Sequence, residues 1–384
     1  MSQLCRPDAP LRGVIGMLRI GIVGLGGAGR AHARRFRRNP EVGQIVGYDL
    51  KKTDGPGVEQ VSRMEDLLAH VDAVAICTPD HAHFGDIVAA LEAGKHVLVE
   101  KPMVASLAEA GQLKPHLDAC PNLVFGVHHQ LRHAPPFAKG YELVREGVLG
   151  RLFYLETNYW HDMSVRSTQF DTWRMEHGQS LLFGHACHPL DLLMHLAGSA
   201  PIEHTTYLSK NAFQEYKADY TSATVLLKFP GNLIAKTHVN TYCVFPHLHD
   251  LMILGEKGTY IDGILFKDGE FTQVCDFFGE GRAHAEVNIT DIKLPSRFVP
   301  LGIRAYLRIF NKLATMLMSH PDFGFRRYPL TVYNHDQACQ VMIDNFIDAL
   351  LGKTKILVGY EEAARVIKLC EETEADGLRR MDRG

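Results

Sequence analysis

The sequence predicts two folded units in series: an α/β unit on a doubly wound parallel sheet, then an α+β unit with an open, mostly antiparallel sheet. Three observations carry that prediction. Apolar runs without polar alternation recur between residues 18 and 132, separated by helical patterns, as strands buried on both faces require. A Gly24-x-Gly26-x-x-Gly29 run stands where the first strand turns into the first helix. After residue 150 the pattern changes to apolar/polar alternation, the period of strands with one wet face.

The elements follow in order. Leu18–Val23 is a strand, and a helical pattern from Ala28 to Arg38 stops at Asn39-Pro40, because proline cannot continue a helix. Strands are expected at Gln44–Asp49, Ala73–Thr78, His96–Val99 and Leu123–Val127. Helices are expected at Met64–Ala69 and at His81–Ala93, the latter closed by Gly94. A further helix is opened by Ser106, with Glu109 completing a capping box. In the second unit, Arg151–Trp160 and stretches within 219–228, 231–240 and 248–254 alternate, and Lys257-Gly258 and Lys267-Asp268-Gly269 read as hairpin turns. Helices return at His335–Leu351 and Tyr360–Asp376. The expected domains are therefore 18–132 and 133–384. Residues 1–17 are read as a disordered extension: the stretch before Met17 lacks the apolar core and cleavage site of a secretory signal.

Composition narrows the function. The 384 residues carry 41 Lys+Arg against 44 Asp+Glu, a net charge of −3, and 46% are hydrophobic. That balance excludes a disordered chain and argues against nucleic-acid or anionic-membrane partners. No apolar stretch reaches the roughly 18 residues of a membrane span. Eight cysteines form no CxxC pair, so reduced thiols and a cytoplasmic location are expected.

The strand–GxGxxG–helix arrangement is the phosphate-binding turn of a Rossmann domain. Gly24 permits the tight turn, Gly26 lets backbone approach a pyrophosphate, and Gly29 lets helix and strand pack closely. Gly27 and Ala28 complete the loop, and the helix N-terminus offers N–H groups to phosphate. Asp49 ends the second strand 20 residues after Gly29. A carboxylate there accepts from ribose hydroxyls and repels a 2′-phosphate, so NAD is the expected cofactor. Thr78, Pro79 and His83 follow a later strand end, and Glu100-Lys101-Pro102 follows the next. Ligands of open α/β sheets lie beyond such carboxyl ends, which aims Lys101 into the cofactor crevice.

With these residues in place the chain resembles the glucose–fructose oxidoreductase / inositol dehydrogenase (Gfo/Idh/MocA) family. The matching runs are GLGGAG at 24–29, TPDHAHF at 78–84 and EAGKHVLVEKPM at 92–103. Phe170-Asp-Thr-Trp173-Arg174, Cys187-His188-Pro-Leu-Asp191 and Asp344–Ala349 extend the resemblance over Leu18 to Gly377. The resemblance implies hydride transfer between a bound nicotinamide cofactor and a secondary alcohol of a sugar, nucleotide sugar or cyclitol. It also implies homodimers or homotetramers built by packing open sheets face to face. It matches Lys101 and His188 to the family's catalytic lysine and histidine. Many relatives carry an aspartate four residues before that histidine, where this chain has Gly184 followed by His185. His185 is thus either a substitute acid/base group or a substrate contact.

Chemistry supports the same residues. Oxidising an alcohol needs a hydride acceptor, a base for the hydroxyl proton and a cation beside the developing alkoxide. A lysine and a histidine are natural choices for the last two. Tyr159, His161, Trp173 and Arg174 are further candidates for substrate contact. The altered motif also admits another reading, a redox-assisted glycoside hydrolase or lyase that retains NAD and uses it transiently. A non-enzymatic nucleotide sensor would leave Lys101 and His188 without a purpose. His185, His188 and Asp191 are spaced three apart, a conceivable metal set, but the family is metal-free and no metal is expected. Arg30, Arg34, Arg35, Arg37 and Arg38 read as a solvated helix face. The amphipathic 303–318 segment reads as a subunit contact in preference to a membrane contact.

Overall fold

The computed structural model describes residues 17–52, 58–161, 182–210, 220–241, 248–275 and 335–382. The first unit is a six-stranded sheet in the order β3-β2-β1-β4-β5-β6, every pair parallel. Its strands are β1 (Leu18–Val23), β2 (Val42–Tyr48), β3 (Glu59–Val61), β4 (Ala73–Ile76), β5 (His96–Val99) and β6 (Phe125–Val127). Between them run α1 (Gly27–Phe36), α2 (Met64–His70), α3 (Asp80–Glu92) and α4 (Leu107–Ala119). The strand order reverses at β1 and β4, which opens a crevice at their carboxyl ends. Ser106 caps α4 as expected, accepting from Glu109 N at 3.1 Å. The Glu109 carboxylate reaches back one residue further than the capping box requires, to Ala105 N at 2.9 Å.

A 3₁₀ turn (Gln130–His133) and α5 (Pro135–Arg145) lead into the second sheet. α5 opens on two prolines, whose missing N–H and fixed φ suit a first helical turn. The sheet comprises β7 (Leu152–Trp160), β8 (Glu203–Ser209), β9 (Ser222–Phe229), β10 (Leu233–Asn240), β11 (Leu248–His249), β12 (Met252–Gly255), β13 (Gly258–Ile261), β14 (Ile264–Lys267) and β15 (Glu270–Gln273). Its order is β15-β14-β13-β12-β7-β10-β9-β8, with β11 also on β7. All pairs are antiparallel except β7–β10, which is parallel. Asp268 and Gly269, both at positive φ, make the predicted β14–β15 turn.

One face of this sheet buries Leu155, Val225, Leu227, Ala235 and Val239 in a core shared with α6 (Cys187–Ala197). The other face exposes Tyr207, Leu226, Ile234 and Phe266. α7 (His335–Leu350) returns to the first unit. Its Ile343, Phe346, Ile347 and Leu350 pack against Ile20, Ile22, Leu25 and Phe36, each such side chain contributing about 1.5–3 kcal/mol by burial. The nucleotide domain thus completes its core with chain from beyond residue 132, which a sequence boundary at that point does not anticipate. α8 (Tyr360–Met381) closes the described chain against β8.

Two expectations need correction. The arginines of α1 are not all solvated: Arg35 is buried and donates through Nε to Asp336 on α7 at 3.0 Å, while Arg38 reaches the same carboxylate at 2.5 Å. The cysteines are not all reduced either. Cys77, Cys187, Cys275, Cys339 and Cys370 are not in disulfides, whereas Cys120 is disulfide-bonded. Among the described residues no helix is long and apolar enough to cross a membrane. Residues 1–16 and the amphipathic 303–318 segment lie outside the described residues.

Candidate active site

The glycine loop has the geometry a dinucleotide needs. Gly24 sits at φ +88°, and a Cβ on it would lie 2.9 Å from the Cys77 carbonyl. A Cβ on Gly29 would come within 1.9 Å of Gly24 O, while Gly26 and Gly27 face open space. The loop is therefore closed on its inner side and bare where a pyrophosphate would rest, at the α1 N-terminus where Ala28 also stands. Asp49 closes the other side. Its Oδ2 accepts from Leu25 N at 2.7 Å and its Oδ1 from Lys51 N at 2.8 Å, which fixes the carboxylate over the loop with lone pairs to spare.

The later strand ends behave differently from one another. Pro79 precedes α3, and Thr78 Oγ1 donates to Asp86 at 2.6 Å. His83 is buried, with Nδ1 at 2.8 Å from Pro102 O and Nε2 at 2.9 Å from Thr78 O. Both ring nitrogens face carbonyls, of which a neutral imidazole can donate to one, so the buried ring sits as a strut between the two loops.

Glu100 is a hub. Its carboxylate accepts from His32 Nε2 at 2.7 Å and from Lys101 N at 3.2 Å, with His128 Nδ1 at 3.5 Å. Burial alone would push this carboxyl up, but His128, His32 and Lys101 outweigh it and hold the group well below the ordinary range. Arg35 lies 3.4 Å from His32 Nδ1. Since a guanidinium only donates, Nδ1 accepts and Nε2 carries the proton given to Glu100. His32, Glu100 and His128 are also the one group among the described residues with metal-ligand spacing, their atoms within 4.8 Å. Both His32 nitrogens are already engaged, so the cluster reads as a hydrogen-bonded network that fixes the backbone of Lys101.

Lys101 crosses between the units. The Lys101–Pro102 peptide is cis, and Lys101 Nζ donates to Gly184 O at 2.8 Å. Gly184 and His185 lie in a buried π turn, Leu182–Ala186, that runs straight into α6. The position where relatives carry an aspartate thus contributes only a carbonyl, and that carbonyl holds the lysine. His188 stands in the first turn of α6, 2% exposed, and its Nδ1 has no hydrogen-bond partner among the described residues. Burial, reinforced by Lys101, His129 and His249, pushes its imidazole well below the ordinary histidine range. The ring is therefore neutral.

Asp191, the third member of the conceivable metal set, is not available to a metal. It is fully buried and bonded to Arg132 through both oxygens, Nε to Oδ2 at 2.6 Å and Nη2 to Oδ1. Its role is to neutralise a buried guanidinium.

Tyr159 and His161 adjoin this centre. The Tyr159 ring stacks on His161 and on His249, and lies 5.6 Å from His188. His185 meets His161 edge-on at 5.8 Å. The structure brings Lys101, Tyr159, His161, His185 and His188 into one region, while Trp173 and Arg174 lie outside the described residues. Sequence reasoning missed His249, His128 and His129. The visible signals were the His128-His129 pair directly after β6 and the His247-Leu-His249 run at the start of β11.

The comparisons agree with this architecture. Residues 18–128 match the oxidoreductase family with an NAD-binding Rossmann fold, and residues 137–261 match the GFO/IDH/MocA C-terminal domain. The 1-carboxy-3-chloro-3,4-dihydroxycyclohexa-1,5-diene dehydrogenase of Comamonas testosteroni is 28% identical over 253 residues, 62% of this chain and 61% of that protein. The chain thus spans under two thirds of that relative's length. The inositol 2-dehydrogenase of Corynebacterium glutamicum is 26% identical over 273 residues, 66% of this chain and 77% of that protein. The scyllo-inositol dehydrogenase of Lactobacillus casei, solved with NAD(H) and scyllo-inositol, superposes with a TM-score of 0.70 at 16% identity, covering 95% of this chain and 98% of that one. That likeness is one of fold. With both family domains matched in order along the chain, this protein belongs to the Gfo/Idh/MocA oxidoreductase family.

Proposed function

We propose that the chain is an NAD(H)-dependent dehydrogenase that moves a hydride to or from a secondary alcohol of a sugar, nucleotide sugar or cyclitol. The Lys101–Gly184 bond carries this reading, because it joins the carboxyl edge of the nucleotide sheet to the helix that bears His188. The named activities of the Comamonas and Corynebacterium relatives support it. Bound NAD⁺ supplies the hydride acceptor at the crevice. Lys101 holds the alcohol oxygen as negative charge develops on it, and neutral His188 takes the hydroxyl proton. Glu100 fixes the lysine backbone, and Gly184 O orients its ammonium group. Tyr159, His161 and His185 wall the substrate side, with Trp173 and Arg174 as further contacts. The exposed apolar face with Tyr207, Leu226, Ile234 and Phe266 is the surface for a homodimer or homotetramer.

Nicotinamide absorbance with a panel of sugars and cyclitols tests the reading. Net NADH formation with at least one member is the expected result. Because Gly184 leaves no carboxylate at that place, a redox-assisted hydrolase or lyase is the alternative, and glycosidic cleavage with no net NADH would establish it. Asp49 also sets cofactor choice. Hydrogen bonds to a charged group contribute about 1.5–3 kcal/mol, so NAD⁺ should bind about tenfold or more tighter than NADP⁺. Asp49→Ala should close most of that gap in a titration; equal affinities in the wild type would refute this assignment.

A further inference from the structure

The side chains next to Tyr159 include an imidazole pair whose geometry has a chemical consequence. His249 is the cross-strand partner of Tyr159 in the β11–β7 register. His161 follows β7 directly, its N–H donating to Asn240 O at 2.8 Å. The His249 ring stacks on Tyr159 at 4.0 Å and 9°, and the His161 ring at 4.4 Å and 14°. The two imidazoles are only 4.9 Å apart and 18° from parallel. Rings on opposite faces of the phenol would be separated by nearly both stacking distances together, so these two lie side by side on one face. They meet edge to edge, Nε2 to Nε2, at 2.7 Å.

Two imidazole nitrogens can meet this closely only when one carries a proton and the other a lone pair. Neutral rings in this contact therefore hold opposite tautomers: one Nδ1 is an acceptor and the other a donor. We propose that His249 is a positioning residue of this active site, which holds the ring plane of His161 and ties the tautomer of His161 to its own, so that the nitrogen His161 offers the substrate depends on His249. His185, the residue after Gly184, stands edge-on to His161. Among the described residues the other titratable groups that adjoin the pair are Tyr159 on β7, His185 in the π turn and His188 on α6. That His161 faces a substrate rests on the dehydrogenase reading; the contact between the two imidazoles does not.

The coupling can be read without turnover. Full-length protein saturated with NAD⁺ and labelled with ¹⁵N in its histidine rings is studied by long-range ¹H–¹⁵N NMR at pH 8. The spectra of His161→Phe and His249→Phe supply the assignments. In the wild type, the His161 and His249 tautomer populations should mirror each other, the fraction of one ring protonated on Nε2 equalling the fraction of the other protonated on Nδ1. His249→Phe keeps an aromatic ring on Tyr159 but removes the contact, so the His161 tautomer populations should shift. His249→Gln, whose amide can donate or accept, should restore a partner for His161 Nε2 and hold its ring plane, with the tautomer populations free to differ from the wild type. With an active substrate, His249→Phe should lower kcat by about 10–100-fold, the size of loss seen when the outer partner of a metal-bound histidine is removed. KM for NAD⁺ and the thermal midpoint should stay put, and His249→Gln should recover most of the rate. An unchanged His161 tautomer in His249→Phe would overturn the proposal, as would a lowered midpoint that alone accounts for the lost rate. Failure of every substrate would count against the dehydrogenase reading, while the tautomers seen by NMR would still decide for or against the coupling.

Discussion

Lys101→Ala and His188→Ala should each lower kcat by about 10²–10⁴-fold, the range typical of lost acid–base help, while NAD(H) still binds. The expectation follows from separate tasks. Lys101 Nζ is held at 2.8 Å by Gly184 O, so its ammonium group is aimed before any substrate arrives, and pre-aimed charge acts most strongly where charge develops late. His188 is buried and neutral, with Nδ1 unclaimed among the described residues. His185→Ala separates the two readings of the altered motif. If His185 replaces the missing carboxylate, its loss should approach the His188 effect and move the pH profile. If it contacts substrate alone, KM should rise with kcat nearly constant. Near wild-type kcat in both the Lys101 and His188 variants would place the chemistry elsewhere.

Buried imidazoles should make the protein lose stability in mild acid, an effect partly offset by Asp262, whose carboxyl burial pushes up to about 7 and which therefore adds stability as pH falls below that value. Burial pushes the imidazole of His128 down to about 3 and those of His133 and His195 down to about 4, from an ordinary 6.5. His129, His188 and His335 shift the same way. Below about pH 6.5 the unfolded chain binds protons at these rings and the folded chain does not, so stability falls as pH falls. The loss continues until the folded values are reached, near 4 for His133 and His195 and near 3 for His128. Each ring contributes about 1.4 kcal/mol per pH unit at full slope. Those three together remove about 4 kcal/mol between pH 5.5 and 4.5, of which protonated Asp262 returns about 1 kcal/mol, against typical stabilities of about 5–15 kcal/mol. Glu100 and Asp191, whose folded values are depressed, extend the loss at still lower pH. Urea unfolding from pH 7.5 to 5 should show a steep decline; a flat profile would mean that these rings are solvated or charged in the folded state.

Much of the nucleotide half was legible in sequence because its signals are local. The β5 bounds match the reading at both ends, and α1, α3 and β4 differ by two residues or fewer at each end. The capping at Ser106 and the glycine loop are likewise decided within a few residues of themselves. What stayed hidden depends on distant chain. The pairing of β7 with β10 is parallel because of how the chain returns, which period-two alternation cannot reveal. Arg35 looked solvated because its partner, Asp336, is 301 residues away. What Asp191 does instead of binding a metal, which was not expected of it, depends on Arg132, 59 residues away, which occupies both its oxygens. His83 matched a cofactor-binding run, yet its buried ring sits between two carbonyls. His249 carried no motif of its own; only the β11–β7 register brings it to Tyr159.

The central claim is that this cleft transfers hydride between a secondary carbinol carbon and the nicotinamide. The most direct measurement uses substrates from the active panel deuterated at the carbinol carbon, with NAD⁺ and product analysis by mass spectrometry. The account predicts that the label moves from that carbon to the nicotinamide ring, giving one NADD for each ketone formed. Cleavage of a glycosidic bond with the nicotinamide left oxidised, or loss of the label to water with no reduced cofactor, would contradict it.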